Sequence, residues 1–154
     1  MTITMQPIGH VRSAERGPRE DFWGEVVCEI VLEQGFTSDA LTGLMDFSHI
    51  EVLFQLDRVT EHAIVRGSRR PRENPNWPET GVFAQRGKNR PNRIGATICQ
   101  VLSVEGTTVK VKGLDALDGT PVLDIKPVMR EFLPERSVVR QPKWASELMA
   151  NYFK

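Results

Sequence analysis

The chain has 154 residues, 20 basic and 20 acidic side chains, a formal net charge of zero and 40% hydrophobic residues. That length fits one domain with a modest core and a short appendage, and the composition is that of an ordinary globular protein. It excludes a highly charged nucleic-acid binder, a chain with a long apolar membrane span, and a disulfide framework, since Cys28 and Cys99 are the only cysteines.

The first residues, MTITMQPIGHVRSAERG, contain no apolar export segment, so the chain reads as cytoplasmic. Ile3 to Val11 alternates weakly and predicts a first strand, with Gly9 as a bulge. Ser13 to Trp23 is polar and carries the turn signal Gly17-Pro18. Glu25 to Leu32 is rich in β-branched residues and predicts a second strand. Thr37-Ser38-Asp39 ahead of an apolar run predicts a short helix capped by Ser38 or Asp39. Phe47 to Leu56 is apolar at nearly every position and predicts a strand covered on both sides, or a central barrel strand.

Residues 66–80 hold three prolines, two asparagines and four arginines, which predicts a long surface loop of the functional kind. Gly81–Arg86, Ile94–Val104, Thr107–Lys112 and Val122–Lys126 predict four further strands. Glu105-Gly106 reads as a tight hairpin. Trp144, Leu148 and Tyr152, at four-residue steps, predict an amphipathic helix over Pro142–Tyr152, with Pro142 in its first turn. The expected fold is mainly β: a small antiparallel β-barrel over residues 1–134, with a short helix, followed by a C-terminal helical extension over residues 135–154.

Familiar cofactor signatures are missing. There is no G-x-G-x-x-G, no phosphate-binding loop with Gly-Lys-Ser/Thr, no Cys/His cluster at zinc spacing and no nucleophile elbow, so no metal is expected. Two segments carry unusual chemistry instead. In residues 81–95 a strand runs into Arg86-Gly87-Lys88-Asn89-Arg90-Pro91-Asn92-Arg93. Gly87 and Gly95 would admit a ligand near the backbone, and Arg86 and Arg90 suit a carboxylate or phosphate. In residues 113–127, Asp115 and Asp118 bracket a turn ahead of Asp124 and Lys126. A turn at Asp118-Gly119 and an ion pair between Asp124 and Lys126 explain this second segment equally well without a site.

These blocks, with Ile8-Gly9-His10-Val11-Arg12-Ser13, Leu41-Thr42-Gly43-Leu44, Phe47-Ser48-His49-Ile50, Arg90-Pro91-Asn92 and Gly113-Leu114-Asp115, resemble the TsaA-like (TrmO) family over roughly residues 5–132. The resemblance implies a β-barrel that binds S-adenosylmethionine, commonly as a homodimer with cofactor sites near the interface. It implies methylation of the 6-amino group of a threonylcarbamoyl-modified adenosine beside the tRNA anticodon. Carried over by position, the cofactor pocket would take Arg86, backbone at Ala96, the turn Leu117-Asp118-Gly119-Thr120, Asp57-Arg58 and Arg19. Arg93, Gln85 and Val128 depart from the family pattern.

Asp118, Asp124 and His49 are the candidate proton acceptors, although His49 also suits a plain wall position. Arg69, Arg70, Arg72, Lys88, Arg90 and Arg93 are candidate contacts to RNA phosphates, and Trp77 is expected either to stack on a base or to anchor its loop. Two other readings fit the residues: a methyltransferase acting on a non-RNA substrate, and a non-catalytic sensor of S-adenosylmethionine.

Overall fold

A computed structural model describes all of residues 1–154. The strands, in chain order, are β1 (Gly9–Arg12), β2 (Val27–Leu32), β3 (His49–Gln55), β4 (Ser68–Arg69), β5 (Thr80–Gly81), β6 (Ile94–Glu105), β7 (Thr108–Lys112) and β8 (Pro121–Pro127). Six of them close into a barrel of order β1-β2-β7-β6-β3-β8, and β4 pairs with β5 as a separate two-stranded ladder. Every pairing is antiparallel.

The barrel closes because alternate residues point inward. Val11, Ile30, Ile50, Val52, Val109, Val111 and Val122 are all fully buried, and each such side chain contributes about 1.5–3 kcal/mol by leaving water. The register stacks them: Val11 faces Ile30, Ile30 faces Val109, and Ile50 faces Cys99. Burial pushes both thiols, Cys28 and Cys99, up to about 12, so they serve as inert core fill. The first inward-facing residue of β6 after Gly95 is polar: Thr97, opposite Val52.

Several local expectations change. The strand foreseen at Ile3–Val11 pairs as a ladder only from Gly9, where β2 ends at Leu32 and the pairing with β8 stops at Val122. Gly9 makes no bulge; a Cβ there would lie 2.6 Å from the Val31 carbonyl oxygen, so close strand approach selects glycine. The strand foreseen at Phe47–Leu56 runs only over His49–Gln55 and alternates between buried and half-buried residues rather than being covered on both sides. The helix foreseen after Thr37 is a single 3₁₀ turn, Ser38–Leu41, with no side-chain cap. Gly81–Arg86 is not a strand: after the short β5 the chain turns over Val82–Ala84. The C-terminal helix α1 spans Lys143–Met149 and ends before Tyr152.

Topology decides where chemistry can gather. Because neighbours around the barrel run antiparallel in the order β1-β2-β7-β6-β3-β8, β1, β3 and β7 point one way and β2, β6 and β8 the other. The segments after β1 (13–26), after β3 (56–93) and after β7 (113–120) therefore all open at one end. The chain leaves β8 at the opposite end and returns along the barrel, so that α1 and the last residues reach those three loops.

Candidate functional site

At the loop end the turn 117–120 anchors the first loop. Thr120 N–H donates to the Leu117 carbonyl at 3.1 Å, and Gly119 supplies the positive φ, +83°, that such a turn requires. Asp118 accepts from Ser13 N–H at 2.9 Å through its carboxylate and donates its own N–H to the Glu15 carbonyl at 2.7 Å. Arg58 donates to the Asp118 carbonyl at 2.8 Å and to the Arg16 carbonyl. Arg19 forks onto Glu15 at 2.7 Å and onto the Asp21 and Phe22 carbonyls. The structure thus brings Arg19, Arg58 and the 117–120 turn together through the first loop. Asp57 is an exposed neighbour of Arg58.

A second group gathers at the start of β6. Arg86 donates through Nη2 to the Ala96 carbonyl at 2.5 Å. One residue further along β6, the Thr97 hydroxyl donates to Asp115 Oδ1. The Tyr152 hydroxyl donates to the other carboxylate oxygen of Asp115. Burial, and then the Asp115 carboxylate, push the Tyr152 phenol well above its ordinary range. The bends after Phe83 and after Leu114 therefore converge on β6 at residues 96–97. Asp115, Thr97 and Tyr152 are not among the site residues expected from the sequence, although Asp115 lies beside a turn and within a block of the family resemblance, and Tyr152 in the expected terminal helix.

The basic loop joins the two groups. Arg72 makes a bidentate pair with Asp21, at 2.9 and 3.1 Å, and also donates to the Glu20 carbonyl. Arg70 donates to the Trp77 carbonyl, Arg90 to that of Gln85 at 2.8 Å, and Arg93 to that of Val59 at 2.7 Å. Gln85 bridges the Arg69 and Thr80 carbonyls. Arg69 Nε is buried without a partner. Lys88 is exposed. Trp77 is half-buried and donates through Nε1 to Glu147 of α1 at 2.8 Å, which is the anchoring role. Five non-glycine residues hold positive φ: Phe22, Arg72, Glu73, Asn92 and Arg93. All lie in these loops, and each costs on the order of 1 kcal/mol, strain that concentrates at sites.

Two candidate residues lie elsewhere. Asp124 sits on the outer wall opposite Leu53, paired with Lys126 at 2.6 Å. His49 is exposed at the start of β3 and meets the Ser48 hydroxyl at 2.8 Å. Gly95 does not open space for a ligand: a Cβ there would come within 2.4 Å of the Phe54 ring.

The donor set fits S-adenosylmethionine. An exposed guanidinium, Arg86, has hydrogen-bonding capacity left beyond its one carbonyl partner, and Asp118 offers a carboxylate at the same end of the barrel. A cavity of about 310 Å³ along the first loop is lined by Ser13, Glu15, Arg19, Phe22 and Val26 among others, a mixture of polar groups and apolar wall. It reaches Arg19 but not Arg86. No group of three or more His, Cys, Asp or Glu side chains is placed to hold a metal ion, and no helix is long and apolar enough to cross a membrane.

The sequence model of the tRNA-methyltransferase O N-terminal domain matches residues 11–132. An S-adenosyl-L-methionine-binding protein of Archaeoglobus fulgidus is 35% identical over 143 residues, covering 90% of this chain and 96% of that one. A tRNA (adenine(37)-N6)-methyltransferase of Mus musculus is 41% identical over 93 residues, which span 60% of this chain but only 21% of the mouse protein. The crystal structure of TrmO from Pseudomonas aeruginosa aligns with a TM-score of 0.69 and 30% identity, covering 92% of this chain and 64% of that one.

Proposed function

Since the chain belongs to the tRNA-methyltransferase O N-terminal domain family, we propose that it binds S-adenosylmethionine at the loop end of the barrel and methylates the 6-amino group of a threonylcarbamoyl-modified adenosine beside the tRNA anticodon. The observation that carries this reading is the convergence of Arg86, Asp115 and the 117–120 turn at one end of a barrel of this family. The names of the archaeal and mouse relatives support the cofactor and the substrate respectively.

When bound, the cofactor supplies an electrophilic methyl group on a sulfonium. Arg86 is suited to its carboxylate by a charge-assisted fork, and Asp118 to its positive groups. Backbone at Ala96 and at Leu117-Asp118-Gly119-Thr120, with Arg58 and Arg19 bracing the loops, would hold the nucleoside part. Asp57 borders that surface. The protein's main contribution is positioning, because an in-line displacement needs its reacting atoms aligned at roughly 3–3.5 Å. The adenine amino group sheds its proton readily once methylated, and Asp118 is the acceptor nearest the loops. Asp124 and His49, on the outer wall, would serve only if a second copy of the chain brought them to a site.

Arg69, Arg70, Arg72, Lys88, Arg90 and Arg93 form the basic face offered to tRNA, with Trp77 bracing it. A cytoplasmic homodimer with cofactor sites near its interface is part of the proposal. Exposed apolar side chains after β8, Met129, Phe132, Leu133, Val138 and Val139, support a contact between copies. A purely monomeric mass in sedimentation at micromolar concentration would remove the dimer.

The decisive experiment transfers labelled methyl from S-adenosylmethionine to total tRNA of a strain lacking this protein, followed by nucleoside analysis. Label in the modified adenosine next to the anticodon is expected. Cofactor binding without label in tRNA would reject the tRNA reading and favour another acceptor or a sensor.

A further inference from the structure

The C-terminal tail does more than cover the barrel. Phe22 N–H donates to the Asn151 carbonyl at 3.0 Å and Trp23 N–H to the Tyr152 carbonyl at 2.7 Å, so the last residues anneal to the first loop. The approach is so close at Gly24 that a Cβ would lie 2.1 Å from the Phe153 carbonyl oxygen. This docking delivers the Tyr152 hydroxyl to Asp115. Asp115 then holds a donor on each oxygen, Thr97 on one and Tyr152 on the other.

The neighbouring cation is Arg86. Its guanidinium rests on the carbonyl of Ala96, one residue from the Thr97 that holds Asp115. Both Arg86 and Asp115 are near enough to act on the Tyr152 hydroxyl by charge. Yet Arg86 bonds only the neutral carbonyl of Ala96 and makes no ion pair with Asp115. A half-buried carboxylate that lacked one of its donors would seek another, and a guanidinium is the strongest donor at hand.

We infer that Tyr152 is a positioning residue for cofactor binding: by filling Asp115 it keeps that carboxylate off Arg86 and leaves the Arg86 guanidinium for the carboxylate of the cofactor. The inference rests on the cofactor reading above. It assigns the C-terminal segment a part in the site that residues 11–132 alone would not supply.

Calorimetry with two probes tests it. S-adenosylhomocysteine carries the amino-acid carboxylate; 5′-methylthioadenosine is the same nucleoside without it. Tyr152→Phe should weaken S-adenosylhomocysteine about five- to tenfold and leave methylthioadenosine within about twofold. Arg86→Ala should show the same selective loss. Adding Asp115→Asn to Tyr152→Phe should restore S-adenosylhomocysteine to within about twofold of the wild type, because a neutral amide does not capture a guanidinium as a carboxylate does.

Parallel weakening of both probes would reduce Tyr152 to a structural prop and overturn the inference. So would unchanged S-adenosylhomocysteine binding, or a double variant that is not rescued. If Tyr152→Phe fails to fold, Asp115→Asn alone decides: it should bind S-adenosylhomocysteine at least as tightly as the wild type, and weaker binding overturns the inference. A wild type that binds neither probe overturns the cofactor reading itself, a result distinct from a wild type that binds while Tyr152→Phe behaves identically.

Discussion

Asp21 and Arg72 meet with both carboxylate oxygens engaged, and each side chain is 24% exposed. Arg72 adopts φ +49°, a conformation that costs energy for any side chain except glycine, so something must hold it there. The bidentate contact does so, and it ties the first loop to the basic loop across 51 positions of sequence. The Arg72 hydrogen bonds hold the Asp21 carboxyl below its ordinary value, against an opposing push from burial, with the arginine charge adding to the lowering. A depressed carboxylate stabilises the folded state in full above its unfolded value and loses that contribution as pH falls through its folded value. Asp21→Asn should therefore cost roughly 1 kcal/mol near neutrality, a partly exposed but bidentate pair. It should also flatten the fall in thermal midpoint as pH drops below about 4, the ordinary carboxyl value. Thermal melts of both proteins across that range check the point; parallel curves would mean that the pair contributes nothing to acid stability.

Glycines distinguish elements that pack from loops that do not. Gly95 and Gly87 look alike in the sequence, two glycines flanking a basic bend. Gly95 lies in β6 opposite Phe54, whose ring fills the space a methyl group would need, at 2.4 Å. Gly87 has nothing within 4 Å of its Cβ position. Gly95→Ala should destabilise the barrel by about 1–3 kcal/mol through overpacking, while Gly87→Ala should be neutral within about 0.5 kcal/mol. Denaturant unfolding of both variants tests this, and equal midpoints would show that Phe54 yields without cost. The same contrast explains what could be read from the sequence. Alternation and β-branching located β2, β3, β6, β7 and β8 well, because a barrel wall imposes a period of two on each strand. Ile3–Val11 and Gly81–Arg86 misled for the same physical reason: a strand exists only where a neighbour supplies a ladder, and that neighbour is remote in sequence. The bends that carry Arg86 and the 117–120 turn stand out because their motifs are local, and the family resemblance proposes both for the pocket. Asp115, Thr97 and Tyr152 could not be placed, since their contact spans 18 and 37 positions and depends on how the tail returns. The regular spacing of Trp144, Leu148 and Tyr152 assigned Tyr152 to a helix face, whereas the helix stops at Met149 and frees Tyr152 to turn inward.

At the scale of the whole molecule, zero net charge conceals a strong polarity. In the loop between β3 and β6, Arg66 pairs with Glu61 and Arg72 with Asp21. Arg69, Arg70, Arg86, Lys88, Arg90 and Arg93 form no ion pair, and the hydrogen bonds of Arg70, Arg86, Arg90 and Arg93 go to neutral carbonyls. Such bonds fix where a guanidinium sits without cancelling its charge. The barrel thus presents several fixed cations at one end, where the carboxylates of Glu15, Asp21, Asp115 and Asp118 are already engaged by other groups, while Glu29 and Glu33 near β2 are engaged by Arg12 and His10. A polyanion approaching this end meets an attractive field despite the neutral total, and its binding must weaken with salt as counterions are released. Lys88 is the cation best suited to isolate this effect, because it is exposed and adjoins Arg86 without sharing its contacts. Lys88→Ala should lower the slope of log affinity for tRNA against log salt by roughly 0.7–0.9, the share of one phosphate contact, and leave the affinity for S-adenosylhomocysteine unchanged. Filter-binding titrations at several salt concentrations measure the slope. An unchanged slope would remove Lys88 from the tRNA surface, and a wild-type affinity indifferent to salt would remove the whole basic face.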